Sequence, residues 1–203
     1  MVGARRDAAP ASPGDDLDAD RRLAARICAG DDDAFAELVR SHHRLVARTA
    51  GRFFRRPEVI EEIVQEVLVK AFRAMPGYRG DVAIGWWLRR ITVNACYDEM
   101  RRRARRRERP ISEVVDDVGA FLADLPADPD ATAPWQREES RQTAEAMLAR
   151  LAPADRLVLT LTVLDERSVA EVADLTGWSR ANVKVRAFRA RQRLRRELVR
   201  AGG

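Results

Sequence analysis

The chain has 203 residues, enough for one large or two small domains. Hydrophobic residues make up 46% and charged residues 34%, with a net charge of +5, an isoelectric point near 10.0 and arginine far in excess of lysine. That balance favours an anionic partner, nucleic acid or a membrane surface, while two cysteines far apart, Cys28 and Cys96, exclude a disulfide framework and a zinc cluster. No apolar run approaches the ~20 residues that a spanning helix needs, and the N-terminus lacks the apolar stretch of a signal peptide. The expectation is a cytoplasmic protein without membrane insertion, holding two free thiols that are buried or partly buried. His42 and His43 are adjacent, so on a helix they point apart and cannot chelate as a pair. Neither a Gly-rich phosphate loop nor a nucleophile–base pairing is legible, so no enzyme, cofactor or metal is expected.

Residues 1–20 hold Ala, Pro, Gly and Asp without periodicity and read as a disordered tail. From 21 to 109 the pattern is helical. Within it Pro57 opens a helix to about Phe72, with Ile60, Ile63, Val64, Val67, Leu68 and Ala71 on one apolar stripe. Its other face carries Glu58, Glu61, Glu62, Gln65 and Glu66. A loop, Pro76-Gly77-Tyr78-Arg79-Gly80-Asp81, follows. Trp86 to Arg107 then reads as one long helix with Trp86, Trp87, Asn94 and Tyr97, ending in arginines. Aromatic rings beside a basic helix suit opened DNA, because unstacked bases can stack on them, although Trp87 is also a good core residue.

Composition shifts to Asp, Pro and Ala over 110–139 and returns to helix from 140. Leu148, Leu151, Leu157, Val158 and Leu161 form an apolar face around Pro153, which marks a helix restart. Ser168 with Glu171 is a capping box opening a short helix. Gly177 supplies the permissive corner, and Ser179 caps a second helix. There Val183, Ala187, Ala190, Leu194 and Leu198 share one face, while Arg180, Lys184, Arg186, Arg189 and further arginines occupy the others. This order of cap, corner, cap and basic face is a helix-turn-helix, whose second helix enters the major groove. Arg180, Lys184 and Arg189 are the expected groove or phosphate contacts.

Charge is segregated in blocks. From 86 to 109 nine arginines face three acids. From 110 to 140 eight acids face Arg137 alone. From 178 to 200 eight arginines and Lys184 face Glu197 alone. The fold expected is all-α, with two helical domains (21–109 and 140–203) joined by a flexible acidic linker over 110–139.

Four stretches, in this order and spacing, give the chain a resemblance to a known family. They are Asp33-Ala34-Phe35-Ala36-Glu37-Leu38-Val39; Glu62-Ile63-Val64-Gln65-Glu66-Val67; Tyr78-Arg79-Gly80-Asp81 with Trp87-Leu88-Arg89-Arg90-Ile91-Thr92-Val93-Asn94; and Leu151-Ala152-Pro153-Ala154-Asp155-Arg156 leading to Val183-Lys184-Val185-Arg186-Ala187-Phe188-Arg189-Ala190-Arg191. Together they resemble bacterial RNA polymerase sigma factors of the extracytoplasmic-function (ECF) type. The resemblance implies a transcription initiation factor with core polymerase and promoter DNA as partners, and an anti-sigma factor as a further candidate. It places polymerase binding on Glu62, Gln65 and Glu66, and recognition and melting of the −10 element on Arg79, Asn94, Arg101, Arg102 and Arg105. Duplex −35 recognition falls on Arg180, Lys184, Arg186, Phe188 and Arg189. It also implies that the linker threads towards the polymerase cleft. Leu68, Phe72, Val82, Ile84 and Val185 depart from the usual family residues. The rival reading is a helix-turn-helix regulator that binds duplex DNA without being a polymerase subunit.

Overall fold

The computed structural model describes residues 13–107, 148 and 151–201, and among them every regular element is a helix. The first half comprises α1 (Pro13–Cys28), α2 (Asp32–Gly51), α3 (Pro57–Ala74), a 3₁₀ turn (Met75–Gly77) and α4 (Ile84–Arg107). The second comprises α5 (Pro153–Leu159), which runs into a π-helical turn (Thr160–Leu164), α6 (Val169–Thr176) and α7 (Arg180–Ala201). The acidic stretch 110–139, residues 1–12 and the side chain of Leu198 lie outside the described residues.

Helix boundaries follow local chemistry. Asp31 caps α2, its carboxylate accepting from Ala34 N at 3.0 Å. Pro57 and Pro153 each occupy a first-turn position, where the missing N–H costs nothing. The expected tail is corrected at its C-terminal side, because α1 begins at Pro13 rather than after residue 20. The ordering is tertiary as well as local. Asp18 pairs with Arg21 at 2.9 Å, and Asp20 accepts from Ile84 N at 2.7 Å, capping α4 from 64 residues away. Cys28 is exposed, contrary to the expectation for that thiol, while Cys96 is buried.

In the first half, α2, α3 and α4 pack around Leu38, Val46, Phe53, Phe54, Ile63, Val64, Val67 and Leu88, all nearly inaccessible to water. The α3 stripe is as read from the sequence, with Ile60 and Leu68 only half-buried at its margins. In the second half, α5 and α6 both pack on α7, whose Val183, Ala187 and Ala190 are buried. The halves are not independent. Leu157, Val158, Leu161, Val172, Leu175 and Val183 join the buried residues of α1–α4 in one continuous core. Trp87, ambiguous in the sequence, is half-buried and tilts against Tyr78 with ring centroids 5.3 Å apart.

Candidate nucleic-acid interface

The helix-turn-helix is built from caps. Ser168 Oγ accepts from Glu171 N at 3.2 Å, and Glu171 Oε2 accepts from Ser168 N at 2.9 Å. Arg167 donates to the other carboxylate oxygen at 2.7 Å. That bond, with those donated to Oε2 by the Ser168 N–H and the Ser168 hydroxyl, holds the Glu171 carboxyl down at about 2. Gly177 closes α6 at φ 73°, the left-handed conformation of a C-cap glycine. Ser179 Oγ then accepts from Asn182 N at 3.2 Å and starts α7.

On α7 the five basic or aromatic candidates part company. Arg180, Lys184, Phe188 and Arg189 are exposed, and Phe188 is 63% accessible, the largest value among the exposed large apolar residues. Arg180, Lys184 and Phe188, each four residues from the next, share one side of the helix, with exposed Val185 and Arg189 next round it. Arg186 differs. It donates to Asp155 at 3.3 Å and lies 4.9 Å from the Trp178 ring centroid, so it braces α5, the turn and α7 against one another.

On α4 the arginine-rich end is partly organised by a carboxylate. Glu99 is almost fully buried and pairs with Arg102 and, at 2.7 Å, with Arg103. Arg103 also lies 5.2 Å from the Phe54 ring centroid, and Arg101 lies 5.6 Å from that of Tyr97. Arg101, Arg102 and Arg105 remain exposed. Arg79 is exposed on a loop pinned by three bonds: Tyr78 Oη to Val82 O at 2.7 Å, Arg21 to Gly80 O at 3.1 Å, and the Asp20 cap. Burial pushes the Tyr78 hydroxyl up to about 12, so it stays a donor at any physiological pH. Gly80 has φ 71°, and a Cβ there would run into Arg21.

The acidic face of α3 is confirmed as a surface and proves to be mixed. Glu62 and Gln65 are exposed, and half-buried Glu66 pairs with Lys70 at 2.6 Å. Val69 and Phe72, 48% and 51% accessible, continue the same side of the helix.

Asn94 lies where the halves meet. Its Nδ2 donates to Arg90 O at 2.8 Å and to Leu175 O, on α6, at 3.3 Å. Tyr97 meets Trp178 edge-on with centroids 5.3 Å apart. A cleft of about 550 Å³ runs along the seam, lined by Trp86, Trp87, Arg90, Trp178 and Arg180 among others.

The comparisons with known proteins divide the chain as the geometry does. Residues 38–106 match the Sigma-70 region 2 family and residues 141–194 the Sigma-70 region 4 family. The ECF RNA polymerase sigma factor SigM of Mycobacterium tuberculosis (strain H37Rv) is 33% identical over 179 residues, covering 88% of this chain and 84% of the relative. The chain is an ECF sigma factor. The ECF sigma-E factor of Escherichia coli (strain K12) is 32% identical over 180 residues, covering 85% of this chain and 91% of its own. Among solved structures, CnrH in complex with the cytosolic domain of CnrY aligns with a TM-score of 0.54 at 27% identity, over 91% of this chain and 99% of that one. RpoE of Bartonella quintana, solved with the anti-sigma factor NepR, shares the fold at 20% identity with a TM-score of 0.53, over 81% of this chain and 96% of that one.

The sigma factor thus directs RNA polymerase to promoters for transcription initiation, and the rival of a polymerase-independent regulator falls. Its family supplies recognition and not catalysis. No helix among the described residues is long and apolar enough to cross a membrane. Sequence reading missed three features: Glu99 as the holder of two arginines, the exposed apolar end of the α3 face, and the seam. Glu99 was findable, since Arg102 and Arg103 stand three and four residues on. The seam carried no local signal.

Proposed function

We propose that three surfaces share the work of initiation. The mixed face of α3, with Glu62, Gln65 and Glu66 and the neighbouring Val69 and Phe72, docks on core polymerase. The α4 face and its loop, with Arg79, Asn94, Arg101, Arg102 and Arg105, bind the melted −10 strand. The outer side of α7, with Arg180, Lys184, Phe188 and Arg189, reads the −35 duplex, and Arg186 acts by holding that helix in place. The observation that carries the reading is the exposure, on one side of a capped recognition helix, of two cations and a ring spaced four residues apart, Arg180, Lys184 and Phe188. The protein contributes no chemistry of its own and works in the cytoplasm beside the polymerase. An anti-sigma factor is a further partner, as the family resemblance implies.

Run-off transcription with core polymerase on fragmented genomic DNA tests the whole, and a residue-level test accompanies it. Glu62→Lys combined with Glu66→Lys should keep the helical circular dichroism of the wild type and weaken core binding at least tenfold. Unchanged affinity in a titration would remove α3 from the interface.

A further inference from the structure

Six residues, Tyr78 to Ala83, link the 3₁₀ turn to α4 without regular structure of their own. A loop of that kind keeps the backbone freedom of its residues unless something outside it takes that freedom away. Here the opening helix does so, through a single turn. The N–H of Ile84 opens α4 and has no partner within that helix; Asp20 accepts from it at 2.7 Å. Arg21 donates to Gly80 O at 3.1 Å, and Asp18 holds its guanidinium from the other side at 2.9 Å. The approach is close, since a Cβ on Gly80 would collide with Arg21 Cγ. Helix α1 is itself seated, with Ala24 and Ile27 buried in the core and its side packed on α2 and the 3₁₀ turn.

One further bond lies inside the loop, from Tyr78 Oη to Val82 O at 2.7 Å, and the Tyr78 ring leans on Trp87. Gly80 O, Val82 O and Ile84 N are therefore all tied, while Arg79, Asp81, Val82 and Ala83 stay exposed. The second half of the chain supplies none of these bonds. Its holds on the first, such as Arg52 with Asp165 at 3.1 Å, Arg156 to Phe53 O at 2.9 Å and Arg167 at 5.6 Å from the Trp86 ring centroid, fall outside the loop.

We propose that Asp20 and Arg21 are positioning residues for −10 recognition: held by them, the loop Tyr78–Ala83 presents Arg79 and its neighbours to the melted strand in a preset shape. This rests on the assignment of that loop to the −10 strand made above. Discrimination between bases needs the loop's groups at fixed places, because a surface that can rearrange accommodates a wrong base nearly as well as the right one. A preset loop also binds more tightly, since its ordering is complete before the strand arrives. Neither residue needs to touch DNA. The Asp20 carboxylate would repel a phosphate, and the Arg21 guanidinium is already given to Gly80 O and Asp18.

The test uses the full chain bound to core polymerase. Its probes are labelled single-stranded oligonucleotides covering the non-template −10 strand of a promoter found by run-off transcription, each position varied in turn. Asp20→Ala and Arg21→Ala should weaken binding of the preferred sequence about tenfold, the factor by which a loop in its competent shape about 10% of the time raises the apparent Kd. The loss should be smaller for mismatched sequences, so that base preference flattens. Affinity for core polymerase and for a −35 duplex should match wild type. Asp20→Asn keeps an oxygen that can accept from Ile84 N and should restore both affinity and preference. Arg21 is exposed and its truncation uncovers no core, so Arg21→Ala carries the test even if Asp20→Ala melts early. Amide exchange in the free chain gives a second readout: the Ile84 amide should be protected in wild type and Asp20→Asn, and exchange freely in Asp20→Ala. Folded variants with wild-type affinity and base preference would overturn the proposal. A loss that is even across sequences, with preference intact, would do the same by making Arg21 a phosphate contact. So would an Asp20→Asn variant that behaves like Asp20→Ala. An Ile84 amide freed in Asp20→Ala, in a protein whose wild type shows no preference among −10 bases, would uphold the hold of α1 on the loop and sink instead the −10 assignment that gives it a purpose.

Discussion

Arg186 and Arg189 stand three residues apart on α7 and have different surroundings. The first is held by Asp155 and Trp178, the second faces solvent. Arg186→Ala should therefore lower the melting temperature of the protein, while Arg189→Ala should melt like wild type and lose affinity for a −35 duplex. If Arg189 reads a base the loss should be about 1–3 kcal/mol and confined to one base position. If it meets phosphate alone the loss should be even across sequences, with a shallower salt dependence. Binding titrations at several salt concentrations distinguish the two. The sequence put both arginines on one basic face because charge counting sees no partner 31 residues upstream. Glu171 was legible for the opposite reason, since its capping partner Ser168 is three residues away. Its carboxyl is held at about 2, below the ordinary 4.5, chiefly by the Arg167 bond. A depressed carboxylate stabilises the fold above its unfolded pKa, and that contribution is lost as pH falls from about 4.5 towards 2. Melts of wild type and Glu171→Gln should accordingly differ near neutrality and converge at acid pH.

Among the elements, the helix-turn-helix is the one the sequence described most fully, because caps and corner act within four residues. Its Gly177 is the clearest case. At φ 73° a Cβ would meet open space, with Arg90 Nη2 the nearest atom at 4.0 Å, so Gly177→Ala is strained by conformation and not by collision. A left-handed non-glycine residue costs about 1–2 kcal/mol. Urea unfolding should show that loss, while a duplex titration on the folded fraction changes little. The opening helix α1 illustrates the converse. Its Asp20 gains meaning only beside Ile84 N, and no pattern in Ala, Pro and Asp foretells a partner on α4. The α3 stripe was legible in its buried part, where a 3.6 period is imposed by the core. The exposed Val69 and Phe72 were not, since an apolar residue at the margin of a stripe reads the same whether it faces a core or a partner.

At the scale of the whole molecule, two basic blocks flank an acidic one, and that order was visible in the sequence as charge alone. The contacts across the seam were not, because each joins residues from 81 to 113 positions apart, and pairing over such distances leaves no periodicity behind. They have a thermodynamic consequence. When two halves share a core, unfolding one strips cover from the other, so heat should unfold the described helices as a single cooperative unit. Arg156 is the point at which to break that coupling. Arg156 is 9% accessible and its guanidinium donates across the seam to Phe53 O, whose residue is itself buried. Arg156→Met keeps an apolar stem of similar length on α5 and removes the bond, leaving Phe53 O without that donor at a cost of about 1–3 kcal/mol. In scanning calorimetry the wild type should give one transition with calorimetric and van't Hoff enthalpies equal. The variant should start to melt several degrees lower, with its van't Hoff enthalpy falling below the calorimetric one as the halves separate. Two transitions already present in the wild type would show that the shared core does not couple the halves.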